Sequence, residues 1–433
     1  MGKNNIGASQ STTLDENFGK SEKLKTKKYK IIGIVATICV LGVSINYFNK
    51  KYIYTDVIAK NIFIEGIDVS NLTKEEAINY LNENVIPGDI QLNYDGETNV
   101  ISPDEIDLKY NTSEVVDEAY NYTKTDSYFE NVKRFLDLNK NSKNLEIKSL
   151  YNENKLSEKI QSISESINVA MENAKVYISD SGNISVSSAT IGKELDISST
   201  KESIYDAIKN KDYKSIDLKV NIKDPKISTE DAKNVNTLLA DFSTKFSTSD
   251  SNRVTNIVLS AKATSDVLLM PGEEFSYNGL TGKRTKSNGY KDAPVIINGK
   301  LEQDVGGGVC QVSSTLFNSV LYSGLDITSR RNHSLKSGYV SIGRDAMVSD
   351  GGSDFRFKNP YSHPVYIKNT VSNGVITSKV YGNASDKKNI SIKVEPYTTG
   401  GLEAAKTYIE YKDSNGKVIR TQYISNSVYK NPK

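Results

Sequence analysis

Cys310 stands in the run DVGGGVCQVSSTLF, after the glycines Gly306, Gly307 and Gly308 and before a stretch with helical periodicity. Val312, Leu316 and Val320 fall on one stripe of that helix with Phe317 and Leu321 beside it, and Gly324 is a good residue to end it. The spacing predicts a helix to about Ser323 with Cys310 at its N-terminus. Unpaired N–H groups and the positive end of the helix dipole stabilise a thiolate at such a position. The same N–H groups offer an oxyanion hole, and the preceding glycines let a substrate carbonyl approach the backbone closely. The run lacks the GK[ST] ending of a phosphate-binding loop. The chemistry indicated is acyl transfer or hydrolysis through a thioester.

A thiolate nucleophile needs a base and proton donor, and the chain has two histidines. His333, in the run RNHS, lies 23 residues beyond Cys310, in a polar loop entering a predicted strand, GYVSI. That separation lets it fold back beside the helix start. His363 precedes Pro364 at the opening of an apolar strand and reads as structural. Asp345 and Asp354 both qualify to orient the imidazole, and the sequence does not choose between them. The plain alternative is that Cys310 only packs, since cysteine is among the most buried residue types. No HExxH, CxxC or closely spaced ligand pair occurs, so no metal and no other cofactor is expected. Ser313 and Ser314 lack an SxxK context, which argues against a serine acyltransferase.

The elements that hold these residues lie outside a membrane. Ile31 to Asn49 carries no charge and is mostly apolar, and nineteen residues rise roughly 28 Å as a helix, enough to cross the hydrocarbon core. Lys23, Lys25, Lys27, Lys28 and Lys30 crowd its N-terminal side, and only Lys50 and Lys51 follow it directly. That asymmetry puts residues 1–30 in the cytoplasm and the remainder outside. No small-x-small cleavage site follows, so an uncleaved anchor is expected rather than a signal peptide. Cys39 lies within the span, where bulky Ile38 argues against lipidation; a disulfide to Cys310 would join bilayer to exterior, so Cys310 is expected as a free thiol. Residues 1–30 hold seven lysines against three acids, a net of +4, which leaves −2 for the rest of a chain whose total is +2. Such a balanced exterior gives no sign of nucleic-acid binding.

The predicted fold class is α+β. IFIEGIDVSNLTKEEAINYL opens a first module, with Thr73 and Glu76 as a capping box and Ala77, Ile78 and Leu81 as an apolar helical face. NAKVYISDSGNISV alternates Ala174, Val176 and Ile178 with Ile184 and Val186 as a hairpin opening a second. IGKELDISSTKESIYDAI matches the earlier IDLKYNTSEVVDEA, and ISTEDA (227–232) echoes LTKEEA (72–77), which together indicate an internal repeat. Asn415-Gly416 between TYIEYKD and KVIRTQYIS predicts a terminal hairpin. The expected organisation is a cytoplasmic tail over 1–30, a transmembrane helix over 31–49, modules over 50–148 and 149–227, a catalytic domain over 228–385 and a β-rich extension over 386–433.

Two family resemblances follow from these residues. Residues 66–227 resemble the peptidoglycan-binding domain found beside wall-enzyme domains, which implies peptidoglycan as a partner or a spacer role; the chain has no Trp for sugar stacking. FSTKF (242–246), Arg253 with Asn256, PGEEFSYN (271–278), TGKRTKSNGY (281–290), GGGVCQVSSTLFN (306–318), RNHS (331–334), GYVSIGRDA (338–346) and DFRFKNP (354–360) together resemble the VanW domain. That resemblance implies a role in peptidoglycan and, for cysteine-bearing members, L,D-transpeptidation. It makes Cys310, His333, Asp345 and Asp354 the catalytic candidates. Gly307, Gly308, Gln311, Arg331, Ser334 and Arg344 become the substrate-binding candidates, with Arg331 and Arg344 available for stem-peptide carboxylates. A cysteine carboxypeptidase or endopeptidase on the same stem shares the acyl-enzyme step, and a non-catalytic wall-binding protein is the alternative of a different class.

Overall fold

The computed structural model describes residues 12–179, 181–297 and 300–431. The chain is α+β and forms two compact units. One comprises the residues up to Ile167 together with Leu195–Asn221; the other comprises Asn168–Glu194 and the residues from Ile222 onward. The first eleven residues of the expected cytoplasmic tail lie outside the described residues.

In the first unit, α1 (Thr12–Phe48) runs into a π-turn over Asn49–Ile53. Lys25–Ile53 is long and apolar enough to cross a membrane, and its apolar side chains from Ile31 to Ile45 are exposed. The helix starts well before the expected span because lysine is a good helix former and no proline interrupts the basic segment. Two apolar cores follow. Helix α2 (Lys74–Asn84) begins at Thr73 with the predicted capping box to Glu76. Its Ala77 and Leu81 pack on Val115, Val116 and Ala119 of α3 (Thr112–Asn121) and on the strand Ile62–Ile64, with α4 (Tyr128–Asp137) following. The other core joins the hairpin Ile90–Tyr94/Glu97–Ile101 to α5 (Glu153–Ile167) and α6 (Ile197–Asn210). The strand Ile216–Asp217 pairs parallel to the first strand of that hairpin. Packing therefore crosses the expected boundary at residue 148. Ile90, Leu92 and Ile101 share a core with Ile160 and Ile204, not with the helices next to them in sequence.

The hairpin Lys175–Ile178/Ile184–Ser187 pairs Val176 with Val186 and Ile178 with Ile184. It belongs to the second unit, where Val176 and Ile178 are buried beside Tyr366 and Tyr381. The expected module over 149–227 is thus shared between two units. Helix α7 (Thr229–Lys233) opens on a Ser228–Asp231 capping box, the counterpart of the one at Thr73.

The body of the second unit is an antiparallel sheet ordered Thr237–Lys245, Val375–Gly382, Val365–Ser372, Val267–Leu269. Helix α8 (Ser251–Ala263) and the helix that carries Cys310 share a core with it, built on Ile257, Leu316, Val320, Ile367 and Val380. Between them come α9 (Tyr277–Thr281) and the hairpin Asp292–Ile297/Lys300–Val305. The cysteine helix, α10 (Val309–Ser323), ends at Gly324, whose φ of +70° is the left-handed cap the sequence predicts. Only Cys310 and Tyr322 of α10 escape full burial, so the helix is enclosed on all sides rather than along one stripe. Its polar residues bond locally: Thr315 Oγ1 donates to Gln311 O at 2.7 Å and Asn318 Nδ2 to Ser314 O at 2.7 Å. The terminal strands Ile390–Thr399, Leu402–Lys412 and Val418–Val428 form a second antiparallel sheet whose Ile409 joins the same core. The predicted strand GYVSI does not form; residues 338–342 are loop.

Candidate active site

Construction of the site begins with the glycine turn. Gly306 and Gly308 have φ of +92° and +107°, which side-chain-bearing residues rarely adopt. Gly307 is required for space: a Cβ there would lie 2.6 Å from Ala293 O and 2.7 Å from Pro294 O. Asn256 of α8 pins the turn, donating from Nδ2 to Gly307 O at 3.0 Å and to Lys291 O at 2.9 Å. α10 has no side-chain N-cap. The Val309 and Gln311 N–H groups turn back to Gly306 O and Gly308 O, whereas the Cys310 N–H bonds to no described residue. A buried helix start with an open N–H beside a thiol is suited to stabilising an oxyanion.

An extended strap, residues 344–348, runs along α10 and sets the register of the remaining groups. Asn318 Nδ2 donates to Arg344 O at 2.9 Å, Ser313 Oγ to Ala346 O at 2.6 Å, and Cys310 Sγ to Val348 O at 3.3 Å. Ser314 Oγ also accepts the Ala346 N–H at 2.9 Å. Two extended residues advance roughly 6.6 Å and four helical residues roughly 6 Å, so alternate strap carbonyls meet successive helical turns. Asp345, between two of those carbonyls, carries His333: its Oδ2 accepts the His333 main-chain N–H at 2.6 Å and lies 2.7 Å from Nδ1. His333 and Asp345 are only 6 % and 1 % exposed, so this contact is shielded from water. With Nδ1 held by the carboxylate, Nε2 is the nitrogen left free to serve the thiol, and Cys310 and His333 line the same cavity.

The electrostatics follow from that chain of contacts. Burial pushes the Cys310 thiol up, but the hydrogen bond and charge of His333 outweigh it and hold the thiol below its ordinary value. Burial pushes His333 down, and its bonds to Asp345 and Cys310 outweigh that, so its pKa is pushed up to about 10. Burial likewise raises Asp345, while His333 and Arg330 hold its carboxyl below the usual range. Both shifts favour the charged forms, thiolate on Cys310 and imidazolium on His333.

Asp354 is elsewhere. Its carboxylate accepts from Ser276 Oγ at 2.7 Å, the Asn278 N–H at 2.9 Å and Arg356 Nε at 2.8 Å, fixing the start of α9. Arg344 lies on the flank of α10: its guanidinium stacks on Phe242 and Tyr322, 5.1 and 5.0 Å from the ring centroids, and Nη1 donates to Tyr322 OH at 3.2 Å. Arg331 is exposed, and its main-chain carbonyl accepts the Met347 N–H. Ser334 contributes a main-chain carbonyl to Lys430 N at 2.7 Å. Gln311 points into the fold, donating from Nε2 to Lys245 O at 2.9 Å and accepting from Arg253 Nη2 at 3.0 Å. His363 bonds Asp386 at 3.0 Å, as its structural reading anticipates.

Two residues that sequence reasoning passes over complete the site. Arg330, one position before the expected Arg331, places Nη2 3.0 Å from Asp345 Oδ1 and donates from Nε to Asp345 O at 2.6 Å. Tyr429 OH donates to Asp345 Oδ1 at 2.6 Å and accepts the Gly343 N–H at 2.7 Å. Nothing local marks either; Tyr429 is nearly 120 residues from Cys310 and arrives only because the terminal sheet folds back. A cavity of about 1030 Å³ opens onto Cys310 and His333 and is walled by Arg253, Arg284, Tyr339 and Asp350. A smaller cavity of about 720 Å³ beside the strand Lys175–Ile178 holds no cysteine or histidine.

Residues 252–381 match the family described as "VanW like protein". The chain carries a VanW-like domain. Cys310, His333 and Asp345 all lie inside it. Residues 99–217 match the family described as "Putative peptidoglycan binding domain", a span that itself crosses residue 148. One curated relative is "Uncharacterized protein YoaR" of Bacillus subtilis (strain 168), 43% identical over 173 residues, which is 40% of this chain and 56% of the relative. Another is "Vancomycin B-type resistance protein VanW" of Enterococcus faecalis (strain ATCC 700802 / V583), 34% identical over 137 residues, 30% of this chain and 50% of the relative. The chain thus spans about half the length of the curated relatives it matches. No solved structure matches it. The VanW-like and peptidoglycan-binding domains relate the chain to the cell wall.

Proposed function

We propose that this chain is a membrane-anchored, wall-facing L,D-transpeptidase that forms 3-3 cross-links in peptidoglycan through a Cys310 thioester. The observation that carries the reading is the buried His333–Asp345 pair, which lines with Cys310, at the start of a buried helix, a cavity large enough for a peptide. The Cys310 thiolate attacks the carbonyl carbon of the third, diamino acid residue of a donor tetrapeptide. The oxyanion that forms is met by the Cys310 N–H. As the C–N bond breaks, His333 Nε2 gives its proton to the departing D-Ala amine and leaves a thioester. The side-chain amine of a neighbouring stem attacks that thioester, its proton passes to His333, and the thiolate leaves as the new amide forms. Asp345 keeps Nδ1 protonated and the ring oriented throughout. No step consumes ATP, as an extracytoplasmic site requires. The apolar helix anchors the chain with its basic flank inside, and the peptidoglycan-binding domain holds glycan.

The test uses the full chain in detergent micelles, wild type beside Cys310→Ala, with purified disaccharide-tetrapeptide and mass spectrometry of the products. A dimer lacking one D-Ala, made only by the wild type, is the expected product. Monomers trimmed to tripeptide, again only with Cys310, would make the protein a carboxypeptidase. No product from folded wild type would refute catalysis on this donor and favour a wall-binding protein.

A further inference from the structure

A stem peptide whose scissile bond precedes its last residue presents a free α-carboxylate beside the thiol. The arginines that the sequence suggests for it, Arg331 and Arg344, do not wall the cavity, whereas Arg284 does. Arg284 is held with unusual completeness. Its side chain is only 6 % exposed and lies over the glycine turn, where a Cβ on Gly306 would sit 3.4 Å from Arg284 Cβ. Nη1 pairs with Asp350, whose Oδ2 also takes the Arg284 main-chain N–H at 2.8 Å. Nη2 bonds Asn278 Oδ1 and donates to Thr281 Oγ1 at 3.2 Å. Nε is buried without a partner among the described residues. A second unpartnered buried polar atom in the same wall is Ser337 Oγ. Buried donors of this kind are costly to leave unmade, and a charged donor most of all. The other arginine of the wall, Arg253, already gives Nη2 to Gln311.

Resting on the transpeptidase reading, we propose that Arg284 Nε, with Ser337 Oγ, receives the free α-carboxylate of the residue that leaves. Arg284 is then the specificity-determining residue that requires the donor to end one residue beyond the scissile bond. A carboxylate bonded to a buried guanidinium gains a charge-assisted hydrogen bond that an uncharged end group cannot supply.

The experiment measures Cys310 acylation by intact-protein mass spectrometry on the full chain in micelles. The probes are a tetrapeptide stem ending in a carboxylate and the same stem ending in a carboxamide. Wild type should be acylated by the carboxylate form about tenfold faster or more. The double variant R284Q/D350N removes both charges of the ion pair together, leaving no unpaired charge behind, and should bring the ratio near one. If it does not fold, Arg284→Lys keeps the positive charge but has no Nε and should lower the ratio in the same direction. Equal acylation of wild type by both stems would overturn the carboxylate subsite while leaving the transpeptidase reading intact. A wild-type preference that survives in the folded variant would overturn the role of Arg284. A wild type acylated by neither stem would overturn the subsite and the reading beneath it.

Discussion

Replacing Asp345 with Asn tests the relay most directly. The Asp345 carboxylate is 1 % exposed and accepts from the His333 N–H, His333 Nδ1, Arg330 Nη2 and Tyr429 OH. An amide of the same shape removes the charge that keeps His333 protonated. A hydrogen bond to a charged group is worth roughly 1.5–3 kcal/mol, or one to two pH units on the imidazolium. His333 should therefore fall well below its value of about 10, and the Cys310 thiol should rise as its cation is lost. The rate of iodoacetamide alkylation at pH 6 should drop about ten- to a hundredfold, and the alkylation midpoint should move to higher pH. Folding also suffers, because Arg330 is left buried without its carboxylate, at roughly 3–5 kcal/mol; thermal melting monitors that loss. Asp354→Asn is the control, since its carboxylate serves Ser276, Asn278 and Arg356 and should leave the profile where it was. Superimposable alkylation profiles for wild type and a folded Asp345→Asn protein would refute the relay.

Four further outcomes follow. Product formation should rise with pH as Cys310 becomes thiolate, at a pH below the ordinary thiol value, and fall near pH 10 as His333 loses the proton it gives the leaving amine. The same raised pKa means His333 contributes its full stabilisation below the ordinary value of 6.5 and loses it as pH rises through about 10, which denaturant melts across pH will report. Tyr429→Phe deletes one hydroxyl and leaves the buried Gly343 N–H unpaired, so stability should fall by roughly 1–3 kcal/mol, with slower acylation from a less firmly held Asp345. Arg344→Ala should lower the melting temperature through lost stacking on Phe242 and Tyr322, yet leave the carboxylate preference of acylation unchanged.

Much of the site was legible because its signals are local. A helix start is written in a few adjacent residues, and α10 runs Val309–Ser323 with Gly324 as its left-handed stop, as the spacing predicts. The capping box at Thr73 is a four-residue pattern and forms as read, and the echoing segment forms another at Ser228. The stripe on α10 misled in one respect: Ser, Thr and Asn within it suggest a solvated face, yet they bond back to helix carbonyls or to the strap 344–348, so the helix is buried all round. The strand expected over GYVSI fails because residues 338–342 find no partner strand, and a strand exists only as part of a ladder.

The sequence by itself determined the place of Cys310 at a helix start after a glycine turn, His333 as the histidine to pair with it in the proposed mechanism, and an apolar span long enough for a membrane. All of these depend on neighbours along the chain or on residue types too rare to confuse. Only the tertiary structure decided that Asp345 rather than Asp354 meets His333, because that depends on where the strap lies along α10. It also decided that the hairpin at 175–187 joins the second unit, and that Arg330 and Tyr429 brace the Asp345 carboxylate. Such contacts are set by which sheets and helices bury one another's apolar faces across tens to hundreds of residues, and no short window of sequence contains that information.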